Sequence, residues 1–140
     1  MGRYLSAPRW EKRPPRLISS TNLNIVCPAL EMGVKHVALE LNSPGTLKAL
    51  RVFRNQGTAT GRATRCLYEV VVDGVVAMAG NLNMINQGFQ VLVGNSSDSG
   101  GTIVAGFDFV SFNKLQVRYT PTDGWLAASD LQLMPVYEVY

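Results

Sequence analysis

Two apolar runs, Cys66 to Val72 and Val75 to Met78, are separated by Asp73-Gly74 alone. A connection of this composition closes an antiparallel hairpin, because a type I′ turn needs positive φ at both central positions and Asp-Gly adopts it at low cost. The middle of the chain is therefore committed to sheet. His36 to Leu41 alternates, with Val37, Leu39 and Leu41 on one face and His36, Ala38 and Glu40 on the other, the period of a half-buried strand. Ser43-Pro44-Gly45 is a turn, and Leu47 to Arg54 reads as the next strand, with Leu50 and Val52 inward. Asn55 to Thr64 is a polar loop. Phe89 to Val93, Ile103 to Val110, Leu115 to Thr120 and Leu131 to Tyr140 read as further strands, Thr122 to Gly124 as a turn, and Leu82 to Gln87 as a loop or short helical turn. Pro135 argues for an edge position or a bulge in the last strand, since proline cannot donate to a ladder.

Short strands at spacings of roughly 8 to 14 residues, without an amphipathic helix or a fixed repeat, predict an all-β chain: an antiparallel two-sheet β-sandwich, jelly-roll-like or Greek-key. With 140 residues, 46% hydrophobic and 16% charged, the chain is long enough for one domain with its own core. Residues 1 to 20 are different in kind. They hold Pro8, Pro14 and Pro15, the aromatics Tyr4 and Trp10, and the cations Arg3, Arg9, Lys12, Arg13 and Arg16, with no strand or helix period. Proline keeps such a segment extended and removes backbone donors, so it reads as a basic N-terminal arm ahead of a sandwich over residues 21 to 140.

Charge is segregated along the chain. Residues 1 to 16 are net +4, residues 41 to 68 are net +5, and residues 69 to 140 are net −5. A chain with opposite charge in its two halves is suited to contact with copies of itself or with a neighbour of matching field. Nucleic acid is the competing partner for the basic blocks, but long Lys/Arg runs are absent and the acidic half repels phosphate. No apolar run approaches a membrane span and no apolar stretch follows the N-terminal cations, so the expectation is synthesis in the cytoplasm without a signal peptide. Cys27 and Cys66 are then expected to be reduced and buried, a disulfide between them being the alternative if the protein ends up outside a cell.

The sequence offers little for catalysis. His36 is the sole histidine, and its place on the polar side of a strand makes it an ordinary exposed residue rather than partner to a Cys27 or Cys66 nucleophile with Asp108 as orienter. One His and two separated Cys give no conventional zinc spacing. Asp73, Asp98, Asp108, Asp123 and Asp130 fall mostly at turns or strand ends but in no calcium-loop pattern, and Asp73 is accounted for by its turn. The glycine-rich Gly94 to Gly101 lacks a P-loop ending and reads as an inter-strand loop. Phe107, Phe109, Phe112, Tyr137 and Tyr140 are expected mostly in the core, whereas Trp125 beside Gly124 is the best aromatic for exposure and for a glycan contact. The expectation is a non-enzyme without metal or cofactor.

The succession V-V-V-D-G-V-V (Val70 to Val76), a glycine-rich stretch, F-V-S-F-N-K-L-Q-V-R-Y (Phe109 to Tyr119) and a terminal V-Y-E-V-Y (Val136 to Tyr140) resembles β-sandwich modules of tailed-phage virions. These are modules of capsid decoration proteins, fibres and tail accessory proteins. The resemblance spans residues 34 to 140; the basic arm departs from it. It implies an oligomeric virion structural protein whose partners are other capsid, neck or tail chains. The partner-binding residues expected on the arm are Arg3, Tyr4, Arg9, Trp10, Lys12, Arg13 and Arg16. A carbohydrate- or receptor-binding module using Trp125 is the alternative.

Overall fold

The Asp-Gly turn forms as its sequence demands: Asp73 has φ 52° and Gly74 φ 84° in the computed structural model, the positive pair of a type I′ hairpin. The structure describes residues 16–18, 24–55, 60–85, 88–93, 102–107 and 110–140. Within them the chain forms β1 (Arg16–Ile18), β2 (Ile25–Val26), β3 (His36–Leu41), β4 (Gly45–Arg54), β5 (Arg65–Val72), β6 (Val75–Asn83), β7 (Gly88–Val93), β8 (Thr102–Phe107), β9 (Val110–Phe112), β10 (Leu115–Pro121) and β11 (Leu131–Val139). No helix among them is long and apolar enough to cross a membrane.

The strands make two sheets. One runs β1-β11-β4-β7-β8, with β2 also on β11 and β9 also on β4; the other runs β3-β10-β5-β6. Their pairing is nested: β5 with β6, β4 with β7, β3 with β10 and β2 with β11. A long hairpin folded back over itself in this way is the winding of a jelly roll. The expected antiparallel sandwich is present, with one addition. β7 and β8 pair in parallel, which antiparallel alternation alone does not predict.

Period-2 burial builds the core. β10 alternates buried and half-buried residues throughout, and β11 does so from Leu131 to Tyr137. Leu115, Val117 and Tyr119 of β10 and Leu131, Leu133 and Tyr137 of β11 meet Leu47, Leu50 and Val52 of β4 and Cys66, Tyr68 and Val70 of β5 in one apolar cluster. Cys27 and Cys66 are free and buried within it, as their composition suggested.

Several expectations are corrected. Ile103 to Val110 is not one strand: β8 ends at Phe107 and β9 begins at Val110 on a different partner, β4. β6 runs through Leu82 to Asn83, where a loop or helical turn was expected. His36 is half-buried rather than exposed, its ring edge-on to Tyr119 at 5.2 Å. Val37, expected inward, is exposed. The cause is a bulge: Val117 faces Leu39 but Arg118 faces Val37, so Ala38 is extra and the alternation slips. Pro135 lies opposite Leu50 within β11, in the gap between the stretches that β2 and β1 pair, and a bulge follows at Val136/Tyr137. Strand formation also begins earlier than residue 21, because Arg16–Ile18 pair with Tyr137–Val139.

Candidate functional site

Two places carry the residues singled out by sequence, and they lie at opposite ends of β11. At the Leu131 end sits Trp125, in the connection between β10 and β11. Its backbone is clamped from two sides: Trp125 N–H donates to Gly61 O at 3.0 Å and Ala63 N–H donates to Trp125 O at 2.9 Å, while Leu126 and Leu30 exchange a pair of bonds. Two glycines permit this approach. A Cβ on Gly124 would meet Gly61 O at 2.4 Å, and one on Gly61, which has φ +87°, would meet the indole nitrogen at 3.0 Å.

The indole is fixed as firmly as the backbone. Trp125 Nε1 donates to Thr60 O at 3.3 Å, and the Arg62 guanidinium lies 5.0 Å from the ring centroid, within cation–π range. Arg62 in turn pairs with Asp130, whose Oδ2 also accepts from Ala127 N–H at 2.8 Å. The Arg62 and Asp130 side chains are only 10% and 6% exposed, so the charges neutralise each other away from water. Trp125 itself is 37% exposed. The corner therefore presents a rigid aromatic surface with its neighbouring cation already engaged.

Nearby carboxylates are also engaged. Asp123 accepts from the Thr64 hydroxyl and from the amides of Thr64 and Arg65, at 2.9 and 3.0 Å. These bonds, the hydroxyl first, hold its carboxyl below the usual range. Asp73 does the same for the β9–β10 turn, accepting from Asn113 and Lys114 amides at 2.8 Å each, and its carboxyl is likewise lowered, chiefly by the Lys114 amide. Both are staples between turns distant in sequence. Arg54, buried at the end of β4, donates to Asn83 O at 2.5 Å and Gly88 O at 3.3 Å and so joins the two sheets. Sequence reading missed Arg54, Arg62 and Thr64 because their partners lie 29 to 68 residues away and are brought close only by the jelly-roll winding.

The thiols are poorly suited to nucleophilic chemistry. Burial pushes Cys27 up to about 11 and Cys66 up to about 12, the reverse of the depression that makes a reactive thiolate. Tyr119 Oη lies buried near Cys27 without a properly formed hydrogen bond, and burial pushes its pKa up as well. Among the described residues, no group of three or more His, Cys, Asp and Glu is placed to hold a metal ion.

At the other end of β11, Arg16 pairs with Val139. Val139 lies eight residues or about 26 Å along the strand from Leu131. The arm root and the Trp125 corner are separate sites. Arg3, Tyr4, Arg9, Trp10, Lys12 and Arg13 lie outside the described residues, as do Asp98, Asp108, Phe109 and Gly94 to Gly101.

No family model matches the chain, and no curated protein matches it. Among solved structures it is similar to the crystal structure of the infectious bursal disease virus VP2 subviral particle, at 10% sequence identity and a TM-score of 0.35, over 91% of this chain and 33% of that one. The chain thus spans about a third of the length of that structure.

Proposed function

We propose that this chain is a non-enzymatic virion structural protein that decorates or cements a phage capsid, or joins virion components, and that its N-terminal arm is the clasp. The observation that carries the reading is the root of that arm: β1, which directly follows the arm in sequence, pairs with the C-terminal end of β11. Fifteen residues span at most about 50 Å, against a radius of gyration of about 14 Å for a domain of this length. A segment of that length is long enough to reach a neighbour, which supports the reading. The jelly-roll winding supports the same reading by analogy of architecture, since capsid and lectin domains both use it.

Ordering such an arm costs about 1 to 2 kcal/mol per residue in backbone entropy, while an exposed ion pair returns under about 1 kcal/mol. Its cations alone cannot hold it. Tyr4 and Trp10 must supply apolar anchorage, with Arg3, Arg9, Arg13 and Arg16 meeting acidic groups of the neighbour. The test is incorporation into particles assembled with the full chain or with a chain lacking residues 1–15. Loss on truncation, with Trp10→Ala more damaging than Lys12→Ala, is the expected result. Equal incorporation of the truncated chain overturns the clasp; steeply salt-dependent DNA binding that declines as the arm is trimmed reassigns it to nucleic acid.

The exposed indole held by Arg62 favours a second reading, a glycan-binding module. Saturable binding on a glycan array, lost in Trp125→Ala with particle incorporation intact, would establish that alternative.

A further inference from the structure

One arginine is not occupied by the fold. Among the described side chains, Arg51 lies over the Phe89 ring at 4.8 Å, Arg54 donates to two carbonyls, Arg62 is buried against Asp130 and Arg118 meets Glu69 at 3.2 Å. Arg65 is exposed, and its guanidinium has neither a hydrogen bond nor a carboxylate among the described residues. Its main chain is held by Asp123 and Thr122, so the free head is carried on a fixed base.

That head lines a cleft of about 350 Å³ together with Thr64, Asn81, Leu82, Asn83 and Ile85. Arg65 and Asn83 are cross-strand partners and Asn81 lies two residues along β6, so the sheet period sets all three on one face, opposite the buried Cys66 and Leu82. Asn83 Oδ1 accepts from Ile85 N–H at 3.0 Å, and Met84 N–H donates to Thr64 O at 2.8 Å. These bonds place Ile85, 61% exposed, as an apolar wall and leave the Asn83 NH2 for a ligand. The Asn81 amide is unengaged among the described residues. No carboxylate lines the cleft. Asp123 touches the same segment, but its oxygens are taken by the Thr64 hydroxyl and the Thr64 and Arg65 amides. A second cleft, over β3, β10 and β5, has the opposite character: it contains Glu40, bonded to Gln116, and an Arg118 already paired with Glu69.

We infer that the Arg65 cleft binds the acidic sugar of a glycan, with the sugar carboxylate on the guanidinium, ring hydroxyls on the Asn81 and Asn83 amides and a C–H face of the ring on Ile85. A guanidinium presents a planar fork that matches a carboxylate, and primary amides donate and accept, as vicinal hydroxyls require. The volume is at the small end of the range of about 300 to 1,000 Å³ for small-molecule sites, which suits one sugar residue. Nucleic acid is the poorer ligand, because its backbone calls for a track of cations and this cleft has one. The inference rests on the glycan-binding reading and deepens it. Residues 61–65 connect the two places, since Gly61 and Ala63 bond Trp125 while Thr64 and Arg65 bond Asp123.

The test is a glycan array carrying sialylated and uronate-terminated chains beside the same chains without the acidic sugar, probed with the full chain. Binding should favour the acidic members and fall by at least about tenfold in Arg65→Ala, with a smaller loss in Asn81→Ala. Lys114→Ala, at the second cleft, should leave it unchanged, which separates the Arg65 contact from a general effect of charge. Arg65 and Asn81 have exposed side chains, and thermal melts establish that each variant is folded. Equal binding of neutral and acidic chains, or acidic binding that survives Arg65→Ala, overturns this inference and leaves the glycan-binding reading standing on Trp125. Equal binding of a polyglutamate peptide overturns it in favour of an acidic protein partner. An array with no member bound overturns both the inference and the glycan-binding reading.

Discussion

The two ends of β11 treat charge in opposite ways. At the Leu131 end, Asp130 and Arg62 bury their charges in each other, and the arginine also lies against Trp125. At the Val139 end, Glu138 meets Lys48 with side chains 20% and 39% exposed, and β1 pairs there, following in sequence on a segment rich in cations. The first end satisfies its own polar groups and so serves the fold. The second retains access to water. A site that must grip another molecule is better built on the second plan, because a charge already paired and desolvated has little left to offer a partner.

The largest effect separating the ends should come from breaking one ion pair at each. Asp130→Ala leaves Arg62 buried without its carboxylate and should cost about 3 to 5 kcal/mol in denaturant unfolding. Glu138→Ala, which removes a solvent-screened pair, should cost less than about 1 kcal/mol. Equal costs would mean that the two ends differ in appearance only.

Between the ends, the thiols make a prediction in pH. Cys27 and Cys66 are held protonated by burial to about 11 and about 12, against an ordinary value of 9.0. From pH 9 upward the unfolded chain loses these protons while the folded chain keeps them, so the folded state binds more protons and stability falls as pH rises. The slope is about 1.4 kcal/mol per pH unit for each thiol in this window. It should level off as the folded-state thiols ionise near pH 11 to 12. A Cys27→Ala variant should show a shallower decline in melting temperature over the same range. An unchanged slope would assign the alkaline loss to Cys66 and the buried tyrosines.

Local chemistry made much of the fold legible. The Asp73-Gly74 turn, the six-residue run of β3 and the alternation of β10 are short-range patterns that a pleated, half-buried strand imposes on its own residues. What local patterns do not encode is an interruption. The bulge at Ala38 turned Val37 outward, and the change of partner between Phe107 and Val110 divided one apolar run into two strands. The Trp125 corner was visible only as an aromatic next to a glycine. Its content, from Gly61 and Arg62 to Asp130, depends on which loops the winding brings together.

The smallest effect belongs to the arm, and its smallness is the informative part. If Arg16–Ile18 are the root and everything before them serves a neighbour, removing residues 1–15 should change unfolding free energy by less than about 0.5 kcal/mol, the scale of substitutions away from packed features. Removing residues 1–18 takes β1 as well and uncovers the ladder positions of Tyr137, Glu138 and Val139. That deletion should cost measurably more, at about 0.5 to 1.5 kcal/mol for each hydrogen bond lost. The comparison of the two truncations in denaturant titration locates the boundary between fold and clasp. A large loss already at residue 15 would show that the arm stabilises its own sandwich, and the Val139 end would then be as self-contained as the Trp125 corner.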